Sequence, residues 1–335
     1  MSGRRVLVTG AGGFIGHHLV SSLVSKGYWV RGADQKRPEY AATDAHDFFV
    51  MDLRQPKNCM IAAAGVDHIY HLAADMGGIG FISGQHAEIA RNNTLINLGM
   101  LEAARIAGVQ RLLYSSSACI YPLHLQTSPD VTPLCEDDAW PAQPEEGYGL
   151  EKLFTEKMCE YYSADWNVPT RVVRFHNVYG PLGTYDGGRE KAPAAISRKV
   201  AAIRSGEDIE IWGDGEQTRS FMYIDDCVEG IYRIMQSDYA KPLNLGTDEL
   251  VTINELVDIV AAAAGKAVGK RHDLSRPQGV RGRNSDNSLL RRVLGWEPKI
   301  PLREGIGPTY RWIEAQLAAH ERAPAQVREP MSVTV

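Results

Sequence analysis

The sequence predicts an α/β fold: a doubly wound parallel sheet followed by a smaller C-terminal α/β domain. Three observations carry that prediction. Short apolar runs rich in β-branched residues alternate with amphipathic segments through the first half of the chain. A glycine-rich turn joins the first run to the first amphipathic segment, and beyond about Gly180 the alternation breaks into shorter pieces. The runs, read as strands, are RVLVT (5–9), WVRGA (29–33), DFFVM (47–51), HIYHLAA (68–74), RLLYSSS (111–117) and RVVRF (171–175). After them come GGREKAPAA (187–195), a helical run to Ser205, IEIWGDG (209–215) and a helix opening near Thr252, where Thr252 and Glu255 fit a capping box. The expected organisation is a first domain over residues 1–180 and a second mainly over 181–321, some of whose elements return to the first. A flexible tail over 322–335 is expected from its two prolines and its lack of periodicity.

With 335 residues, 44% of them hydrophobic, the chain can build an ordinary packed core. A formal net charge of −5 with dispersed basic residues argues against nucleic acid as a partner. No apolar run approaches the roughly 20 residues that span a bilayer, and MSGRRVLVTG leads straight into a strand, so neither membrane nor export is expected and the predicted compartment is the cytosol. Cys59, Cys119, Cys135, Cys159 and Cys227 are scattered and lack zinc-ligand spacing, so free thiols and no structural metal are expected.

TGAGGFIG (9–16) sets Gly10, Gly13 and Gly16 between the first strand and the first helix, where backbone can approach a pyrophosphate and helix N-terminal amides can bind it. Taken alone it is a tight turn; the strand before it, the helix after it and Asp34 at the end of the second strand make it a dinucleotide site of Rossmann type. A carboxylate at Asp34 suits the adenosine ribose hydroxyls and would repel a 2′-phosphate, which favours NAD over NADP. YGLEK places Tyr148 and Lys152 at i and i+4 on one helix face, so the ammonium can lower the phenol pKa toward that of a general base. Ser117 ends the fifth strand, on the side where ligand crevices of open parallel sheets lie. Taken singly, a solvated helix face and a serine satisfying local backbone explain these residues equally well.

In order, the glycine turn, HLAA, SSS, YxxxK and RFHNVYGP resemble the extended short-chain dehydrogenases that act on nucleotide sugars, over nearly the whole chain. The resemblance implies that Tyr148 removes a proton from a sugar hydroxyl, that Ser117 hydrogen-bonds the same oxygen and that Lys152 also holds the nicotinamide ribose. It assigns to the cofactor Phe14 and Ile15 in the glycine turn, Asp52 and Leu53, the run Leu72, Ala73 and Ala74, and Asn93.

Members of this family diverge after oxidation at C4. The dehydratases carry an Asp-Glu pair after the hydroxyl residue, where this chain has Ala118 and Cys119. A 4-ketone acidifies the hydrogens at C3 and C5, and inverting either centre needs one group to take a proton and another to return it. Cys119, two residues beyond Ser117, would point to the same side of the sheet if the strand persisted. MGGIGF (76–81), SSACIYP, GREKAPAA, WGDGEQTRSF and GVRGRNSDN resemble the family branch that performs this inversion on a GDP-hexose. That resemblance implies Cys119 and Lys191 as the acid/base pair, GDP-α-D-mannose as substrate, GDP-β-L-galactose as product and GDP-L-gulose after C5 inversion alone. It implies contacts to the nucleotide sugar from Gly77, Gly78, Asn177, Glu190, Lys199, Gln217, Arg219 and Arg283, and a homodimer. Two alternatives stay open at this point: a plain 4-epimerase or 4-reductase that uses only Ser117, Tyr148 and Lys152, and a non-catalytic NAD-binding regulator.

Overall fold

A computed structural model describes residues 3–77 and 84–322. In chain order the first half comprises β1 (Arg5–Thr9), α1 (Phe14–Ser25), β2 (Trp29–Asp34), β3 (Asp47–Val50), α2 (Pro56–Ala63), β4 (His68–His71), α3 (His86–Ala107), β5 (Arg111–Ser117), α4 (Tyr148–Trp166) and β6 (Thr170–Phe175). The second half comprises β7 (Asn177–Tyr179), α5 (Ala192–Ala202), β8 (Asp208–Trp212), β9 (Thr218–Tyr223), α6 (Ile224–Gln236), β10 (Leu243–Leu245), β11 (Leu250–Thr252), α7 (Ile253–Ala264), β12 (Gly269–Asp273), β13 (Gly282–Arg283), α8 (Ser288–Leu294) and α9 (Leu302–Arg322). Gly78 and residues 323–335, on which one predicted sugar contact and nearly all of the predicted tail fall, lie outside the described residues.

Seven parallel strands form the main sheet in the order β10-β6-β5-β4-β1-β2-β3. β1 shows how the sequence builds it. Val6 and Val8 face one side and pack with α1 and α6, whereas Leu7 faces the other and packs with α2 and α3; all three are fully buried. That alternation, apolar at every position, is what a strand covered on both faces requires. Burying one such leucine or valine stabilises the fold by about 1.5–3 kcal/mol. Each of the six predicted strands appears with its ends no more than three residues from those expected, β1 and β5 with no offset. The order of β1 to β6 reverses direction between β1 and β4, which opens a crevice beyond their C-terminal ends.

Smaller sheets stand over that crevice. β9 pairs with β7, β11 and β13, and β8 pairs with β12. The capping box forms as the spelling predicts: Glu255 N–H donates to Thr252 Oγ1 at 2.9 Å, and Thr252 N–H donates to Glu255 Oε2 at 2.7 Å. β10, far along the sequence, joins the main sheet beside β6, and α6 packs against α1, so residues from beyond Gly180 complete the first layer.

One local expectation fails. The strand stops at Ser117, and residues Ala118–Ile120 form a single 3-10 turn. Ser117 Oγ accepts the Cys119 N–H at 3.2 Å, so the serine caps a turn and ends the strand. Cys119 is therefore placed by that turn and not by strand alternation.

Candidate active site

The crevice encloses about 640 Å³, within the roughly 300–1,000 Å³ usual for small-molecule sites. Its floor at the β1 end is the glycine turn. A Cβ on Gly16 would stand 2.0 Å from the Gly10 carbonyl oxygen, and one on Gly12 would stand 2.1 Å from that of Lys36, so only glycine lets the turn close this tightly. Gly13 begins α1 with no side-chain cap, and no acidic residue sits in the first turn, so the helix N-terminus opens on the crevice with its donors and its positive dipole end uncompensated. This is a fit for a pyrophosphate.

Gly10, Phe14, Ile15 and Gly16 line the crevice, as do Asp34, Leu53, Leu72, Ala73, Ala74 and Gly77. The Asp34 carboxylate accepts Gly12 N–H at 3.0 Å and Lys36 N–H at 3.3 Å, which fixes it at the lip. Lys36 itself pairs with Glu39 at 3.0 Å, and the Arg37 guanidinium lies over the Phe48 ring, so the cations nearest Asp34 are already partnered. A 2′-phosphate would meet the carboxylate. Two predicted cofactor residues stand off the wall. Asp52 pairs with Arg54 at 2.9 Å, and Asn93 is fully buried, with its amide accepting Asp75 N–H at 2.6 Å and donating to Glu151 at 2.8 Å. Asn93 thus braces the loop that follows β4.

Ser117, Tyr148 and Lys152 converge on the same crevice. α4 can begin there because residue 149 is glycine: a Cβ would stand 2.3 Å from the Cys119 carbonyl oxygen. The Tyr148 phenol lies within electrostatic reach of the Ser117 hydroxyl, and Lys152, fully buried, donates to Ser115 O at 2.9 Å with its ammonium 5.5 Å from the Tyr148 ring centre. Burial pushes the Tyr148 phenol well up, against the pull of Ser117, and burial lowers the Lys152 ammonium while Glu151 raises it. The fall in the phenol that the spacing predicts is therefore not present in the protein alone, because desolvation outweighs it.

Beside this trio lies the Cys119 thiol. Burial and then Glu145 push its pKa up, opposed by the charges of Arg283, on β13, and of Lys191, at the N-cap of α5. Burial lowers the Lys191 ammonium. Arg283 donates to Cys119 Sγ at 3.5 Å, to Gln126 Oε1 at 2.6 Å and to Glu145. Its guanidinium is thus bonded to three side chains within the protein.

The remaining predicted sugar contacts, unlike Lys191, stand off the crevice wall. Asn177 donates to Ser220 O at 3.1 Å, Lys199 to Glu210 O at 2.8 Å, and Arg219 to Thr218 O at 2.7 Å. Glu190 Oε2 and Gln217 Oε1 are buried with no partner among the described residues, which is what groups awaiting a ligand look like. Sequence reasoning missed Glu145, Gln126 and the buried pair Asn97 and Glu151, which hydrogen-bond at 3.1 Å beneath Lys152. Nothing in local spacing marks them, since their partners lie up to 157 positions away. Among the described residues no cluster of three or more His, Cys, Asp or Glu could hold a metal ion, and no helix is long and apolar enough to cross a membrane.

The parallel sheet, the uncapped helix over a glycine turn and the Ser-Tyr-Lys trio define a dinucleotide-dependent enzyme of sugar nucleotides, and the chain belongs to the NAD dependent epimerase/dehydratase family, which residues 6–246 match. Its cofactor is NAD. Over 315 residues the chain is 50% identical to GDP-mannose 3,5-epimerase 1 of Oryza sativa subsp. japonica, covering 93% of this chain and 82% of that one. It is 49% identical to GDP-mannose 3,5-epimerase of Arabidopsis thaliana, covering 93% and 83%. Among solved structures, UDP-glucose 4-epimerase with UDP-glucose from Thermotoga maritima superposes with a TM-score of 0.84 at 27% identity, covering 93% of this chain and 99% of that one.

Proposed function

We propose that the chain epimerises GDP-α-D-mannose at C5 and C3 to GDP-β-L-galactose, with GDP-L-gulose as the product of C5 inversion alone. The observation that carries this reading is the placement of Cys119. A turn capped by Ser117 holds its thiol against the Ser117–Tyr148 pair and within electrostatic reach of Lys191, in a chain half identical to enzymes of that name.

NAD, when bound, supplies reversible removal of the C4 hydrogen with its electron pair, which makes the neighbouring C–H bonds acidic. The residues do the rest. Tyr148 takes the proton from O4 and later returns it, Ser117 holds that oxygen, and Lys152 fixes the trio and the cofactor's nicotinamide ribose. Cys119 and Lys191 together hold one mobile proton, either as thiol and amine or as thiolate and ammonium. In one arrangement the amine is the base and the thiol the acid; in the other the roles reverse. Inversion needs a base on one face of the ring and an acid on the other, and either arrangement provides both. The neutral arrangement is the one that burial favours, since it pushes the thiol up and the ammonium down. In this reading Glu190 Oε2 and Gln217 Oε1, unpartnered among the described residues, accept from substrate hydroxyl or base N–H groups. Gly77, Asn177, Lys199 and Arg219 complete the sugar-nucleotide contacts in this reading.

Turnover of GDP-mannose in D2O tests it. Deuterium at C5 and C3 of the products is expected. Deuterium-free product inverted at C4 would instead identify a plain 4-epimerase, and NAD binding with no reduction by any nucleotide sugar would identify a regulator. The domain assignment follows the same reading, with residues 1–180 serving mainly the cofactor and 181–321 mainly the nucleotide sugar. So do a cytosolic location and a homodimer that contacts neither membrane nor nucleic acid. Five free thiols suit a reducing compartment, and sedimentation equilibrium reads the mass.

A further inference from the structure

The surroundings of the Cys119 thiol are asymmetric in charge. Arg283 on β13 bonds it, and Lys191 at the start of α5, Arg219 on β9 and Lys152 on α4 lie within electrostatic reach. Glu145 faces it as an anion from the loop before α4, with Tyr148 a second one only when ionised. Glu145 is doubly tied to this place. Its main-chain N–H donates to Cys119 O at 3.0 Å, and its carboxylate accepts from Arg283 Nη2. Arg283 is buried and held on a second side by Gln126 at 2.6 Å, so that Nη1 is left directed at the sulfur, 3.5 Å away. A guanidinium N–H toward sulfur gains strength when the sulfur carries charge. Glu145 therefore acts in two opposed ways: it aims the cation that stabilises the thiolate and, by its own charge, disfavours that thiolate.

We infer that Glu145 is a positioning residue for the C5 and C3 proton transfers, setting through Arg283 how the proton shared by Cys119 and Lys191 is distributed. This rests on the reading that Cys119 moves a proton, and it assigns roles to Glu145 and Gln126, which neither motif nor spacing identifies. Removing the anion while keeping its hydrogen bond should favour thiolate. Adding an anion on the other side of Arg283 should disfavour it.

Two isosteric variants separate this from a merely structural role. In NAD-loaded enzyme without sugar nucleotide, the rate at which iodoacetamide modifies the Cys119-containing peptide is followed against pH. Glu145→Gln is expected to lower the midpoint by about one pH unit, a roughly tenfold gain in thiolate below it, and Gln126→Glu to raise it by a similar amount. Loss of a structural brace would move both the same way, so shifts of one sign, or none, overturn the inference. A brace lost at either residue would raise the midpoint, so Glu145→Gln decides by its sign alone. Should it not fold, Glu145→Asp, which keeps the charge, is expected to leave the midpoint within a few tenths of wild type, where a lost brace would raise it. Wild-type enzyme that incorporates deuterium from D2O while neither midpoint moves overturns this inference alone. Opposed shifts in an enzyme that never incorporates deuterium leave the hold on the thiol intact and overturn the reaction.

Discussion

The two ends of the crevice are built differently. At the end where the proposed redox step falls, Ser117 closes β5, and Tyr148 and Lys152 open α4, so each of these side chains sits on a regular element whose spacing fixes its direction. At the proton-transfer end, Cys119 sits in a one-turn helix, Glu145 in a loop, Lys191 at a helix N-cap and Arg283 on a two-residue strand. There the geometry is held by side-chain bonds across the chain, such as the one from Arg283 to Cys119, 164 positions apart. The contrast teaches that the step common to the family is carried by rigid scaffold, and the step that distinguishes this chain by the segments laid over it.

The largest expected effect breaks the redox end. Tyr148→Phe should retain NAD binding and lose turnover by about 10²–10⁴, the usual contribution of a general acid/base. It should also lose deuterium exchange at C5 and C3, because no ketone forms to acidify them. Residual exchange at the wild-type rate would show that the two ends are not sequential. Cys119→Ala comes next and acts on the other end alone. C4 oxidation, read as cofactor reduction by the sugar, should persist, while exchange at C5 falls about 100-fold or more. Unchanged exchange would return the thiol to the role of a small core side chain.

The same contrast explains what could be seen in the sequence. The six strands, the glycine turn, Asp34 and the Tyr148/Lys152 pair were legible because period, spacing and turn chemistry are local. The break at Ser117 was not, because a serine can extend a strand or cap a turn, and the choice depends on whether the Cys119 N–H comes within reach. Asn97, Glu151 and Glu156 carry no mark of burial in the sequence, and Asn93 was assigned to the cofactor by resemblance. They are buried because α3 and α4 bring Asn93 and Asn97 onto Glu151, Asn97 bonding it at 3.1 Å, and because α4 sets Glu156 against Arg174 of β6 at 2.7 Å. A polar residue's burial depends on a partner that may lie anywhere in the chain, so no pattern along one helix announces it. For the same reason the roles of Cys119 and Lys191 came through resemblance, and their neighbours Glu145 and Gln126 were not reached at all.

Asp34 tests the cofactor lip, with a smaller effect. Asp34→Asn removes the charge that accepts Gly12 N–H and faces the ribose, and NAD affinity should fall about tenfold to a hundredfold, as for the loss of hydrogen bonds to a charged group. Calorimetric titration with NAD and NADP reads it, and the discrimination against NADP should narrow. An unchanged preference would move specificity from Asp34 to some other group.

The smallest effect compares the two ends through a buried histidine in each. His71 lies under the redox end with Nδ1 2.8 Å from the Thr9 hydroxyl and Nε2 2.9 Å from Asn97 Oδ1. Thr9 Oγ1 already accepts the Leu72 and Ala73 N–H groups at 3.1 and 3.2 Å, so its proton is directed at the imidazole and a second ring N–H would find no acceptor there. His176 lies near the proton-transfer end with Nε2 3.4 Å from Asn244 Oδ1 and Nδ1 buried without a partner among the described residues. Burial lowers each to about 3, with Lys152 adding to the effect at His71 and Arg283 at His176. In the unfolded chain each titrates near 6.5, so as pH falls the unfolded state takes up the protons first. The stability each neutral ring contributes is therefore complete above about pH 6.5 and is lost progressively as pH falls toward 3. At pH 6 each should shift the folding equilibrium by a factor of about four. His71→Gln and His176→Gln should each flatten the fall of Tm between pH 7 and 5 by one proton's worth. If only His71→Gln does so, the segments over the sugar end open locally and admit the proton to His176 before the sheet gives way, which is the behaviour their assembly from short, side-chain-held pieces would produce.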